Sequence, residues 1–396
     1  LPGEHGNHAG NEIIYRCVEE GIGINMEAME KAGALLLLIG LGVLLRSKVK
    51  HPEALSGVKS LILSVALPAT IFVALLKSRI DPSLLFLPLL TLIFNVALMK
   101  ASQLALPFIG VGRESATMRT MLMLLPSLAP GLSSFPFIME YLGDDMLARA
   151  ALADVGNKVF GLIVLYMFAM HWYRQLHGKY IAESSGLQNL KNLLLSLVQE
   201  PVNVVILLAM GMLVLGWNKG DLPYFLADPL DKLNALMTPL VLLFIGMAAK
   251  FKRQEVFMVL KLLSFRSGLA FCWSALMISI FPMSSTAEAL LIIALPQSSC
   301  SFWPFAHMSI IQGLEDKLPA QNPSRTFDIP LAINLLALSL PFSTVIVLAV
   351  CSSGHFFAYT PYVWLAGGLM LLITAILELG RNKSGAPLRS GTTLAS

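Results

Sequence analysis

Two apolar stretches of this chain cannot be continuous helices. LPSLAPGLSSFPF, from Leu125 to Phe137, holds three prolines, a glycine and three serines within an otherwise apolar run. LPQSSCSFWPF, from Leu295 to Phe305, repeats the plan: Leu-Pro first, small hydroxyl residues next, then Ser-Phe-Pro-Phe, here with a Trp inserted. Proline lacks the backbone donor a helix interior needs and its ring collides with the preceding turn. In hydrocarbon the freed backbone groups are tolerated only where protein or a water-lined cavity satisfies them. Two interrupted segments in corresponding positions of two halves point to the binding site of a secondary transporter.

The rest of the chain fits a bilayer. With 56% apolar and 13% charged residues it is too apolar and too poor in charge for a soluble protein of this length. The net charge of +4 carries no nucleic-acid signal. Cys17, Cys272, Cys300 and Cys351 have no metal or CxxC spacing and read as free thiols. No basic segment precedes the first apolar run, so no signal peptide is expected. Spans of roughly 17 to 25 residues are expected near Glu30–Leu45, Gly57–Leu76, Ser83–Leu104, Ala116–Tyr141 and Leu147–Tyr173. A second set follows near Pro201–Trp217, Lys232–Lys250, Val256–Phe281, Ala287–Gln312 and Asp328–Val350, and an eleventh run at Tyr362–Leu379.

The expected fold is therefore an all-α polytopic membrane protein: a polar tail (1–28), a five-helix repeat (29–173), a cytoplasmic linker (174–200), a second repeat (201–350), an extra C-terminal span (351–380) and a cytoplasmic tail (381–396). Pro68 matches Pro239, Pro126 matches Pro296 and Pro136 matches Pro304 at a near-constant offset, and Asn157 and Asn334 occupy similar places in the fifth and tenth spans. An odd number of spans per repeat inverts the second copy. Basic residues gather in loops on one side: Arg46, Lys48, Lys50 and Lys59; Arg113 and Arg119; Arg174, Lys179 and Lys191; Lys250, Lys252, Arg253, Lys261 and Arg266. By the positive-inside rule that side is cytoplasmic, which places the N-terminus outside and the C-terminus inside a plasma or bacterial inner membrane.

Where two half-helices cross, their N-termini bring unpaired amides and positive dipole ends to one point, a setting for an anion. The candidate substrate site is Pro126, Pro130, Gly131, Ser133, Ser134 and Pro136 from the first break, with Pro296, Gln297, Ser298, Ser299, Ser301 and Pro304 from the second. The competing reading has these serines bonding back to the carbonyls the prolines leave free. Asp154, Asn157 and Lys158 lie near mid-membrane, where an ionisable side chain is a functional candidate by default. Asp154 and Lys158 are also spaced for an internal ion pair. Lys158 is read as counter-charge to an organic anion or as stand-in for a coupled cation, and His307 as a group that titrates near neutrality.

LLIGLGVLLRSKVKHPEALSGVKSLILSVALPATIF (Leu37 to Phe72) resembles the first two spans of the auxin efflux carrier family, with its Gly-rich first span, basic turn, Glu-Ala-Leu segment and Leu-Pro. TPLVLLFIGM (Thr238 to Met247) is similar to that family's seventh span and ALPQ (Ala294 to Gln297) to the start of its ninth. The resemblance implies two inverted five-helix repeats, a scaffold and a transport domain, crossing broken fourth and ninth helices, and elevator-like movement. It also implies a role for Lys158, since plant carriers have a fifth-helix lysine near the crossover. The chain departs from the family pattern at Ala129 or Pro130, where an Asn is usual, at Ser134, where a Gly is usual, and at Asn95, where plant carriers have an acid.

No GxxxxGK[ST], HExxH, GxSxG or GxGxxG motif occurs, so neither nucleotide-driven transport nor a motif-bearing enzyme is expected, and no cofactor or metal is implied. The expected partners are a small organic anion, a coupling proton or sodium and the lipid bilayer; assembly as a homodimer stays open. The alternatives are a sodium-coupled symporter resembling the bile acid carriers, and a sensor that binds ligand without moving it.

Overall fold

The computed structural model describes residues 26–49, 52–78, 86–177, 191, 195, 199–248, 256–281, 283–318, 325–354 and 356–384. Lys50, Lys179, Lys250, Lys252, Arg253, Cys17 and most of both tails and of the linker lie outside the described residues. The protein is an all-helical, multi-pass membrane protein. Among the described residues seven helices are long and apolar enough to cross a bilayer, and Pro201–Val214 and Thr286–Gln297 are shorter apolar helices.

The first helix, α1 (Met26–Leu45), begins inside the stretch expected to be tail. The second span is α2 (Pro52–Leu61) and α3 (Leu67–Lys77), joined through a π-turn at Ile62–Ala66. Pro68 explains that turn: it cannot donate to the preceding turn, and the helix widens so that Leu67 N–H reaches back to Ile62 O. α4 (Leu87–Ala105) is followed by α5 (Ala116–Leu124), a short α6 (Pro130–Ser133) and α7 (Phe135–Val159). Gly143, at φ 84° and ψ −179°, splits α7, a backbone state open essentially to glycine alone. A π-turn at Phe160–Val164 continues α7 into α8 (Leu165–His177). Then come α9 (Pro201–Val214), α10 (Tyr224–Ala248), α11 (Val256–Ile280), α12 (Thr286–Ala294), α13 (Trp303–Glu315), α14 (Ile329–Ser352) and α15 (Thr360–Ser384).

Helices α1 and α10 pack against each other, as do α9 and α3, and α10 also meets α3. α4 packs on α7, and α15 lies along α11. Without a hydrophobic drive between helices in lipid, close backbone approach through small residues has to hold such pairs. A Cβ on Gly246 of α10 would fall 2.1 Å from Ile39 O, and one on Gly42 of α1 would fall 2.3 Å from Leu243 O. Gly268 and Gly367 play the same part between α11 and α15.

Two apolar cores divide the interrupted segments between them. One takes Phe135, Phe137 and Ile138 together with Leu290 to Ala294. The other takes Met118 to Leu125 together with Met308 and Ile311. Each core thus holds the half that follows one break and the half that precedes the other. The ion pairs agree with this division. Lys77 meets Asp144 at 2.6 Å and Arg149 meets Glu288 at 2.9 Å where the long α7–α8 rod begins. His177 meets Glu315 at 3.1 Å where it ends.

Matching caps start α5 and α12. Ser115 Oγ accepts from Met118 N at 3.0 Å and Ser285 Oγ accepts from Glu288 N at 3.2 Å. Replacing either serine by alanine is expected to lower stability by about 1 kcal/mol, measured as a fall in the thermal unfolding midpoint in detergent.

The basic residues need one correction. Lys59, Arg119, Arg174, Lys261 and Arg266, read as loop or linker residues, all lie within helices. Lys59, Lys261 and Arg266 fall inside the spans expected at Gly57–Leu76 and Val256–Phe281, so they do not count as loop charges.

Candidate functional site

The two interrupted segments meet. Ala129 and Ser299, 170 positions apart, form an isolated antiparallel bridge in which Ala129 N–H donates to Ser299 O at 2.8 Å. Around it Ser133 Oγ accepts from Ser299 N at 2.9 Å, Ser127 Oγ accepts from Ser301 N at 3.1 Å, and the Ser134 and Ser298 hydroxyls pair at 2.8 Å. Ser133 and Ser298 also donate to Ala129 O and Leu295 O, at 2.8 and 2.6 Å. Gln297 is held by Ser267 of α11, whose hydroxyl donates to Gln297 Oε1 at 2.7 Å and whose carbonyl accepts from Gln297 Nε2 at 3.1 Å. The prolines free the backbone and the serines re-satisfy it. The sequence-predicted residues are thus brought together; Ser133, Gln297 and Ser298 donate to neighbouring protein oxygens, and all of the predicted residues but Gly131 are buried.

Three neighbours stabilise the crossing from outside. Arg266, fully buried in α11, donates through Nε to Leu125 O at 2.7 Å and through Nη2 to Ser127 O at 3.3 Å. It meets the carbonyl end of α5, where a cation complements the helix dipole. From α7, Asn157 reads both backbone groups of Leu128: Oδ1 accepts from Leu128 N at 3.0 Å and Nδ2 donates to Leu128 O at 2.7 Å. Asn95 of α4 donates to Asn157 Oδ1 at 3.2 Å, and its own Oδ1 is buried with no hydrogen-bond partner among the described residues. On the second break Ser339 of α14 accepts from Cys300 N at 3.3 Å.

Lys158 points away from the crossing. Its ammonium lies 2.6 Å from Glu200 and 3.5 Å from Asp154, and donates to Asn203 Oδ1 at 3.3 Å. Asp154 Oδ1 in turn accepts from Asn157 Nδ2 at 2.9 Å. A continuous polar chain therefore runs from Leu128 through Asn157, Asp154 and Lys158 to the start of α9. His307 Nε2 sits 3.1 Å from Gly161 O in the π-turn, and its ring meets Tyr166 edge-on. It ties α13 to the α7–α8 rod.

The sequence missed Lys59. On α2 this lysine stands one turn before Leu63 and two before Leu67, the two side chains against which Gly131 of the first break packs. Its ammonium lies 4.8 Å from the centre of the Phe302 ring, at the end of the second break. Among the described residues no carboxylate pairs with it. The i, i+4, i+8 spacing of Lys59, Leu63 and Leu67 was the available signal. Among the described residues no group of His, Cys, Asp and Glu is placed to hold a metal ion.

No protein-family model matches this chain, and no curated protein matches it.

Proposed function

We propose that this protein is a secondary transporter of the auxin efflux carrier type, moving a small organic anion by alternating access with the substrate held at the crossing of two broken helices. The observation that carries this reading is the bridge between Ala129 and Ser299. An antiparallel bridge has a local two-fold axis, and here that axis relates two positions that the repeat pairs in sequence. The flanking elements obey the same relation: α5 and α12 each have 9 residues, each is capped by a serine and each runs into Leu-Pro. The packing of α1 on α10 and of α9 on α3 also exchanges under it. These features support two inverted repeats, and with them the assignment of α1, α2–α3, α9 and α10 as scaffold and the remaining paired helices as the moving part.

Lys59 is the substrate's counter-charge in this reading: it lies beside the end of the second break and, among the described residues, no carboxylate pairs with it, whereas Arg266, likewise without a carboxylate, is spent on the carbonyls of Leu125 and Ser127. Lys158, held between two carboxylates, takes the place of a coupled cation. Purified protein in liposomes is expected to accumulate a small carboxylate under an imposed proton, sodium or potential gradient. Lys59→Gln is expected to raise the half-saturating substrate concentration on the order of tenfold, the loss of one partly desolvated charge contact, while Lys59→Arg retains it. Saturable binding with no flux under any gradient would replace the transporter by a ligand sensor.

A further inference from the structure

A cavity with charged walls lies away from the crossing, at the end of the molecule where α4 finishes and α5 begins. It is a cleft of about 670 Å³ lined by Lys100, Arg113, Arg119, Trp172 and Gln175, with Glu114 as its acidic member. Arg119 is fixed in place: Nε donates to Thr326 O at 2.8 Å, Nη1 to Glu114 O at 2.7 Å and Nη2 to Arg325 O at 3.3 Å. Among the described residues Lys100 and Arg113 form no ion pair. Three cations and one carboxylate therefore line the cleft, with the Glu315 carboxylate acting on Arg119 from outside it. The apolar part of its lining reaches the surface: Leu104 is 73% and Leu176 37% exposed. In a multi-pass protein such side chains meet acyl chains, so the cleft opens to lipid at the level where the helices leave the hydrocarbon.

We propose that this cleft is a binding site for the headgroup of an anionic phospholipid. A phosphodiester would sit between the Lys100 ammonium and the Arg113 guanidinium, whose planar fork suits phosphate oxygens. Trp172 and Gln175 would flank the headgroup, and the acyl chains would run down past Leu104 and Leu176. Basic pockets between transmembrane helices at the membrane boundary select such lipids over zwitterionic ones. A soluble organic phosphate shares the headgroup's charge but leaves the apolar rim unused, and so fits the cleft less well.

Trp172 supplies the probe. With Trp217, Trp273, Trp303 and Trp364 replaced by Phe, its fluorescence in vesicles is expected to be quenched by brominated phosphatidylglycerol at on the order of tenfold lower mole fraction than by brominated phosphatidylcholine. Adding Lys100→Gln and Arg113→Gln is expected to abolish that preference. Equal quenching by the two lipids, or a preference that survives the double substitution, would overturn the proposal. So would a rise in unfolding temperature on adding glycerol 3-phosphate to protein in phosphatidylcholine with no preference between the brominated lipids. If the four-Phe protein does not fold, unfolding temperatures of the native sequence and the Lys100→Gln/Arg113→Gln protein in nanodiscs with and without phosphatidylglycerol decide the same question. Stabilisation by phosphatidylglycerol confined to the native sequence supports the site, and equal or absent stabilisation removes it.

Discussion

Gly156→Ala is expected to destabilise the protein by about 3 kcal/mol or more, at the upper end of what overpacking costs, and to abolish flux. A Cβ at this position would lie 1.8 Å from Pro88 O, 2.6 Å from Pro88 C and 2.9 Å from Pro88 Cα. All three are backbone atoms, so no rotamer change relieves the collision. α7 would have to move off α4, and the next residue along is Asn157. Its 3.2 Å bond from Asn95 spans the same two helices, and its paired bonds to Leu128 hold the first break. Displacement at Gly156 therefore reaches the crossing through one residue. Gly211 of α9 is the control: a Cβ there meets nothing within 4 Å, so Gly211→Ala is expected to be neutral or to stabilise by up to about 1 kcal/mol through helix propensity. Thermal unfolding and vesicle uptake measured on both proteins test the argument. A Gly156→Ala protein with native unfolding temperature and native uptake would refute it.

Much of this arrangement could be read from residue order because proline acts locally. The consequences of Pro68, Pro126 and Pro296 are confined to a turn or two of the chain, and the first π-turn and both breaks fall where the sequence places those prolines; the π-turn at Phe160–Val164 has no proline to mark it, and Pro239 leaves its helix unbroken. Hydroxyl residues beside a break are also legible as local partners for the freed backbone, and Ser133 and Ser298 do act that way. Partnership across the fold was less visible. Lys158 was recognised as a buried cation, and Asp154 as its neighbour four residues earlier, but Glu200 sits beyond a long polar linker and nothing local connects it. Arg266 was taken for a loop residue because a lone arginine in an apolar run reads as a boundary. Its real partners are main-chain carbonyls of another helix, which leave no mark in side-chain identity. Lys59 was hidden for the same reason: its neighbour is the face of Phe302, and no acid marks the position.

Lys158→Met is expected to cost about 3–5 kcal/mol, the penalty for leaving a buried charge without its partner. The side chains of Lys158 and Asp154 are 9% and 7% exposed, and Glu200 is 20% exposed. Removing the ammonium leaves two carboxylates facing each other with little water to screen them. The loss therefore lies in the uncompensated acids and not in a missing favourable pair, which makes it reversible by a second change. The triple substitution Lys158→Met, Asp154→Asn, Glu200→Gln removes every charge while Asn at 154 keeps the oxygen that accepts from Asn157. Buried ion clusters exchanged for neutral groups of similar volume are often close to neutral in stability, so the triple protein is expected to unfold within about 1 kcal/mol of the native one. Its flux should remain low, because the contact between α7 and the start of α9 then no longer responds to charge. Unfolding temperatures of the single and triple proteins, with uptake measured alongside, separate the two roles. A Lys158→Met protein as stable as the native chain would mean that solvent already screens the cluster, and a triple protein with full uptake would remove Lys158 from the transport cycle.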